Sequence, residues 1–240
     1  MEKLITYETI RSFAYVNDSI CPMSPKGIVL HFFGLNGRDM YHEETEQGQY
    51  FAERGILYVV PYNNPWAWMN RQAINYTDEL LDVLIEHYHL PDDIPIASTG
   101  GSMGGMSALV YTRYAKRTPA VCVSNCPVCD VPYHYTERPD LPRTMYSAFY
   151  HESGKMKEIL TRYSPLHLAA SMPDIPYYLF HCTEDRSVNK EKHSDRFVAE
   201  MRRMGKRITY YEVPDKGHCK LGDEMFAVYY NHIADEILKK

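Results

Sequence analysis

Six short apolar runs flanked by Gly or Pro punctuate this chain, at Lys26–Phe33, Gly55–Pro61, Ile94–Thr99, Ala120–Asn125, Ile175–Cys182 and Arg207–Val213. Helix-like stretches separate most of them. Within Arg71–His89, residues Ile74, Leu81, Leu84, Ile85 and Tyr88 recur near a period of about 3.6, and Pro91 ends that helix. Further helices are expected at Ser102–Lys116, at Lys190–Met204 before the stop signal Gly205, and at Glu224–Lys239. Apolar runs without alternation suit strands buried on both faces, and βα alternation leads to a mostly parallel sheet covered by helices on both sides. Thr6–Ser19 alternates weakly and is expected to add one or two antiparallel edge strands. Ligands of such sheets collect beyond the carboxyl ends of the strands, so the reactive residues to seek are those that just follow a strand.

One interval departs from the pattern. Between the fourth and fifth runs, about Pro127–Pro173, the chain is rich in Tyr, Pro and His and far longer than one crossover helix requires. A long insertion at that position is expected to form a cap or lid over the site. The expected organisation is a single domain over 1–240 with this insertion at about 127–173.

Lys and Arg total 26 against 31 Asp and Glu, a net charge of −5, which argues against a broad nucleic-acid-binding face. The N-terminal MEKLITYETIRSF lacks the apolar core and cleavage site of a signal peptide. No apolar run reaches the about 18 residues of a membrane span. A cytoplasmic protein with free thiols, and no membrane partner, is therefore expected. Cys126-Pro-Val-Cys129 is a lone C-x-x-C with no second pair at zinc spacing, so buried thiols rather than a metal site are expected there. Sequence alone leaves the oligomeric state open.

The strongest chemical signal is Gly100-Gly101-Ser102-Met103-Gly104, a G-x-S-x-G between an apolar strand and a helix. The sharp turn needs near-absent side chains on either side of the serine, which it holds out toward a substrate carbonyl while the helix N-terminus favours developing negative charge. A phosphate-binding loop would want a Lys-[Ser/Thr] sequel or a wider glycine frame, and has neither. A nucleophilic serine needs a base, and the base an orienting carboxylate, in the chain order Ser, acid, His. His181-Cys182-Thr183-Glu184-Asp185-Arg186-Ser187-Val188 follows the fifth run, and Pro214-Asp215-Lys216-Gly217-His218 the sixth. Of the chain's 11 histidines, His218 stands out for its place after the last strand, whereas His193 falls in a polar helix and is expected to be solvated.

These features resemble the α/β-hydrolase superfamily, and the doubled glycines of the elbow resemble its prolyl-oligopeptidase-like and esterase branches. The resemblance runs from about Lys26 to the C-terminus and implies an α/β-hydrolase fold. It implies Ser102 as nucleophile, Asp185 as orienting acid and His218 as general base, with Glu184 and Asp130 as competing acids. The oxyanion hole is expected from the N–H of Met103 and from the loop His31-Phe32-Phe33-Gly34, where relatives often carry His-Gly-Gly. Phe33 is taken as that second donor, with Gly34 as the other choice. Trp66 and Trp68, both within Asn63–Trp68, are expected to border the substrate, as are Tyr133 and Tyr146 of the insertion.

The implied activity is hydrolysis of small-molecule carboxylic esters through an acyl-enzyme, without cofactor or metal. Acyl groups on sugars or aromatic acyl esters suit the tyrosine-rich insertion; the chain has 21 Tyr against 8 Phe and 2 Trp. The alternative is a peptidase of the prolyl-oligopeptidase type. It is disfavoured because the about 25 residues before the first long strand cannot form the propeller that screens peptides in such enzymes.

Overall fold

The computed structural model describes residues 4–239. Seven strands build one sheet among these residues: β1 (Ala14–Val16), β2 (Gly27–Phe32), β3 (Ile56–Pro61), β4 (Ile96–Gly101), β5 (Val121–Asn125), β6 (Tyr177–Cys182) and β7 (Ile208–Val213). Their order is β1-β3-β2-β4-β5-β6-β7. Only β1 runs antiparallel to its neighbour, pairing Ala14 with Pro61; every other pairing is parallel. All six apolar runs become strands. The weakly alternating N-terminal stretch supplies one edge strand, preceded by a 3-10 turn at Ile10–Ser12.

The helices are α1 (Glu46–Ala52), α2 (Arg71–His87), α3 (Met103–Tyr114), α4 (Val131–Glu137), α5 (Leu141–Phe149), α6 (Met156–Arg162), α7 (Pro165–Leu168), α8 (Ser194–Arg203) and α9 (Gly222–Leu238). Strand side chains alternate between two cores. Ile28 and Leu30 of β2 join the core under α2, α3 and α8, while Val29 joins the one formed with Phe51 of α1 and Ile233 of α9. This two-sided burial is why the strands read as unbroken apolar runs. No helix of the described residues is long and apolar enough to cross a membrane.

Three local differences from the sequence expectation have clear causes. Helix α1 has no apolar stripe to announce it and depends on Thr45, whose side chain accepts from the Gly48 N–H at 2.9 Å. Helix α2 stops at His87 because the chain turns through His89 at φ +50. Helix α8 begins at Ser194, not Lys190, with His193 at its N-cap.

The segment between β5 and β6 folds into α4–α7. These helices are not a loose flap: Val131, Met145, Phe149 and Leu160 are buried in the same core as α2 and α3. Chain order reverses between β2 and β4, which lie side by side, so their two following loops flank a crevice at the carboxyl edge of the sheet. The β4–α3 turn there is crowded. A Cβ on Gly100 would lie 2.6 Å from the Gly104 carbonyl, and one on Gly104 would overlap the Phe32 carbonyl. Gly104→Ala should therefore destabilise the protein by more than about 3 kcal/mol, since backbone rather than a flexible side chain must move. Gly217→Ala, whose Cβ meets nothing within 4 Å, serves as control in a denaturant titration.

Candidate active site

Strand β4 delivers Ser102 to the crevice in a conformation that L-residues rarely adopt, φ +60 and ψ −126. A hydrogen bond from its N–H to the Asn125 carbonyl at 2.9 Å ties the turn to β5. Met103 is the first residue of α3, so its N–H is among those that helix geometry leaves without an intrahelical acceptor.

Strand β6 ends at Cys182, and the following turn buries the Asp185 carboxylate completely. Its Oδ1 accepts from the N–H groups of Ser187 at 2.8 Å and Val188 at 3.0 Å. Its Oδ2 accepts from His218 Nδ1 at 2.6 Å and lies 3.3 Å from His181 Nε2. His181 Nε2 also donates to the Val188 carbonyl at 3.1 Å, and its Nδ1 meets Ser194 Oγ at 2.6 Å, so that ring fixes the acid loop. Burial pushes the Asp185 carboxyl up, but hydrogen bonds from both histidines and from Val188 hold it far below the usual range. Burial lowers the His218 imidazole, and the hydrogen bond and charge of Asp185, together with those of Cys126, more than offset this, raising it to about 9.

The competing acids stand elsewhere. Glu184 is exposed. Asp130 caps α4 through Tyr133 N at 3.1 Å and pairs with Arg196 at 2.6 Å.

Ser102 and His218 open onto one cavity of about 610 Å3, whose wall also includes Phe33, Gly34, Met103 and Trp68. Two buried polar atoms on residues lining it, His31 Nδ1 and Asn125 Oδ1, have no hydrogen-bond partner among the described residues. The other expected substrate contacts are not part of this wall. Trp66 lines a separate cavity, while Trp68, in a left-handed conformation at φ +47, lines the Ser102 cavity. Tyr146 points outward against Tyr150, both exposed. Tyr133 packs near His193. From the insertion it is Val128, His134 and Arg138 that reach the cavity.

His134 belongs to a cluster that the sequence reading does not contain. His193 is fully buried rather than solvated: at the N-cap of α8 its Nδ1 accepts from the N–H groups of Cys129 at 3.1 Å and Asp130 at 3.0 Å. Its proton therefore sits on Nε2, which donates to Glu137 at 2.9 Å, and His134 Nδ1 donates to the same oxygen. Burial raises the Glu137 carboxyl, yet the two imidazole donors bring it down to about 2. The only sequence trace of this cluster is the i, i+3 spacing of His134 and Glu137.

Among the described residues, three groups bring ligand-capable atoms within 4.8 Å of one another: Cys126–His218–Cys219, Cys126–His181–Asp185 and His134–Glu137–His193. Their atoms already have hydrogen-bond work. The Cys126 sulfur accepts from the N–H groups of Cys182 and Cys219, both at 3.4 Å, and the His193 Nε2 that would ligate carries a proton. All six cysteines are free, and Cys126 and Cys129 are buried.

A family model described as the prolyl oligopeptidase family matches residues 45–235. No curated protein matches the sequence. Among solved structures, the chain is similar to Pyrococcus horikoshii acylaminoacyl peptidase (TM-score 0.68, 14% identity), over 90% of this chain and 36% of the peptidase. Porphyromonas gingivalis dipeptidyl peptidase 4 is matched at TM-score 0.70 and 15% identity, over 95% of this chain and 33% of that one. Thermogutta terrifontis esterase Est2 is matched at TM-score 0.64 and 20% identity, over 94% of this chain and 86% of the esterase. The chain thus spans about a third of the peptidases it resembles. The shared fold is that of the α/β-hydrolases.

Proposed function

Because the chain belongs to the prolyl oligopeptidase family, whose members are serine hydrolases, we propose that it cleaves carboxylic esters through Ser102, His218 and Asp185. The observation that carries this reading is the buried Asp185 on His218 Nδ1 at 2.6 Å, facing the same cavity as a serine on a strained elbow.

In the proposed cycle His218 Nε2 takes the Ser102 proton as Oγ attacks the ester carbonyl carbon. The carbonyl oxygen becomes an oxyanion held by the N–H groups of Met103 and Phe33, at the positive end of α3. Collapse breaks the acyl–oxygen bond, and His218 returns the proton to the departing alcohol. Water then attacks the acyl-enzyme with His218 again as base, releasing the acid and restoring Ser102. The bound ester needs no counter-charge. This suits a cavity whose described lining has no Asp or Glu to hold a peptide ammonium, and whose one arginine, Arg138, is engaged bidentately by Asp140.

A fluorophosphonate probe should label the protein, and peptide mapping should place the adduct on Ser102. Short-chain aryl esters should be turned over with much higher kcat/KM than proline or acylated-amino-acid anilides. Preference for the anilides would replace the esterase reading with the peptidase one, and absence of labelling would remove both.

A further inference from the structure

A second cavity, of about 300 Å3, is walled by the loop between β3 and α2, the first turn of α2 and the end of α5. That size is at the lower end of small-molecule sites, which run from roughly 300 to 1,000 Å3. Its chemistry is distinctive. Aromatic rings of Tyr62, Trp66 and Tyr76 line it together with the amides of Asn63, Asn64 and Gln72, and no Asp, Glu, Lys, Arg or His is among its described lining residues.

Hydrogen-bonding capacity there is partly committed and partly free. Tyr76 gives its hydroxyl proton to the Phe13 carbonyl, and Asn70 is used by the α2 cap and the Ala148 carbonyl. The side chains of Asn63 and Gln72 have no partner among the described residues, and Asn64 uses only its oxygen, on the Trp66 N–H at 3.2 Å. Such a wall presents flat π-faces and uncharged donors and acceptors. A phosphate, a carboxylate or a peptide terminus would find no counter-charge there. An alkyl chain would make no use of the amides. A sugar ring matches both halves, offering C–H faces to the rings and hydroxyls that donate and accept to the amides.

The second cavity and the Ser102 cavity share no lining residue but both border a third gap. Asn63, Asn64 and Ala67 also line this small gap of about 10 Å3, whose other walls include Phe33, Gly34 and Met103, and these three are walls of the Ser102 cavity too. We infer that the second cavity holds an uncharged sugar residue, and that the ester cleaved at Ser102 is an acyl group carried on that glycan. The second clause rests on the proposed role of Ser102; the binding of the sugar does not.

Fluorescence separates the two. Trp66 is 38% exposed and Trp68 fully buried, so a ligand in this cavity perturbs the emission of Trp66. In Ser102→Ala protein, xylobiose, cellobiose and maltose are titrated, with digalacturonate as the charged control. At least one neutral disaccharide should shift the emission to shorter wavelength in a saturable way. Digalacturonate should not, and the added change Trp66→Phe should abolish the response. With intact Ser102, Asn63→Ala should lower the ratio of kcat/KM for the acetylated form of that disaccharide to kcat/KM for 4-nitrophenyl acetate by about tenfold. Absence of any saturable response, an equal response to digalacturonate, or a response surviving Trp66→Phe would overturn the sugar site. Hydrolysis persisting in Ser102→Ala would remove the ester from Ser102, with the fluorescence result still deciding on the sugar.

Discussion

Ser102→Ala should lower kcat for an aryl ester by about a million-fold and leave KM little changed. The alanine removes the only atom proposed to bond to the acyl carbon, while the β4–α3 turn keeps its glycine contacts and its bond to Asn125. Substrate binding by the cavity walls survives, so the loss falls on kcat. In the proposed mechanism the serine and the imidazole act as one unit. Ser102→Ala combined with His218→Ala should therefore be no slower than Ser102→Ala alone, because a base with no nucleophile to activate contributes nothing. Steady-state kinetics of the two single variants and the double variant test this. Additive losses would mean that His218 works on something other than Ser102.

Asp185→Asn should cost about ten-thousand-fold in kcat with little change in fold. The carboxylate fixes the proton of His218 on Nδ1 and leaves Nε2 free to accept; an asparagine amide can turn its N–H2 toward the ring and reverse that tautomer. The loop itself should hold, because Oδ1 of either residue can accept from Ser187 and Val188. The pH profile gives a second readout. Asp185 raises the His218 pKa, and the base proposed there works only when neutral, so the acid limb of the wild-type kcat/KM profile should lie well above the ordinary histidine value, toward about 9. Without the carboxylate the limb should move to lower pH. Asp130→Asn should produce neither change, since that carboxylate faces Arg196. An undiminished Asp185→Asn enzyme would end the assignment.

The strands, most helices and the positions of Ser102, Asp185 and His218 relative to strand ends were legible because each is announced locally. A parallel strand buried on two sides must be apolar throughout, and a strained elbow must be flanked by glycine. What remained hidden is tertiary. Glu137 and His193 are far apart in sequence, and nothing near His193 tells that backbone N–H groups of the β5–α4 loop converge on its ring. Trp66 and Trp68 sit two residues apart, which suggests one shared wall. Yet Trp68, left-handed at φ +47, lines the Ser102 cavity and Trp66 a different one, and a positive φ at a tryptophan has no sequence signal. Helix α1 lacked the apolar periodicity that would have marked it. Tyrosine enrichment marks the insertion, but the members that reach the Ser102 cavity are Val128, His134 and Arg138.

The strand order also bears on how this protein keeps to itself while folding. A parallel sheet forms late, through contacts distant in sequence, and its unpaired margins can capture another chain meanwhile. Here the two margins are β1, three residues long and antiparallel to the rest, and β7, whose Glu212 is bound to Lys190 at 2.7 Å and whose approach carries Lys206 and Arg207. One margin is too short to template an added strand, and the other would have to bury charge to do so. The sheet is thereby closed to edgewise growth without being closed into a barrel, and aggregation by strand addition is opposed at both ends of the same sheet that presents Ser102 at its centre.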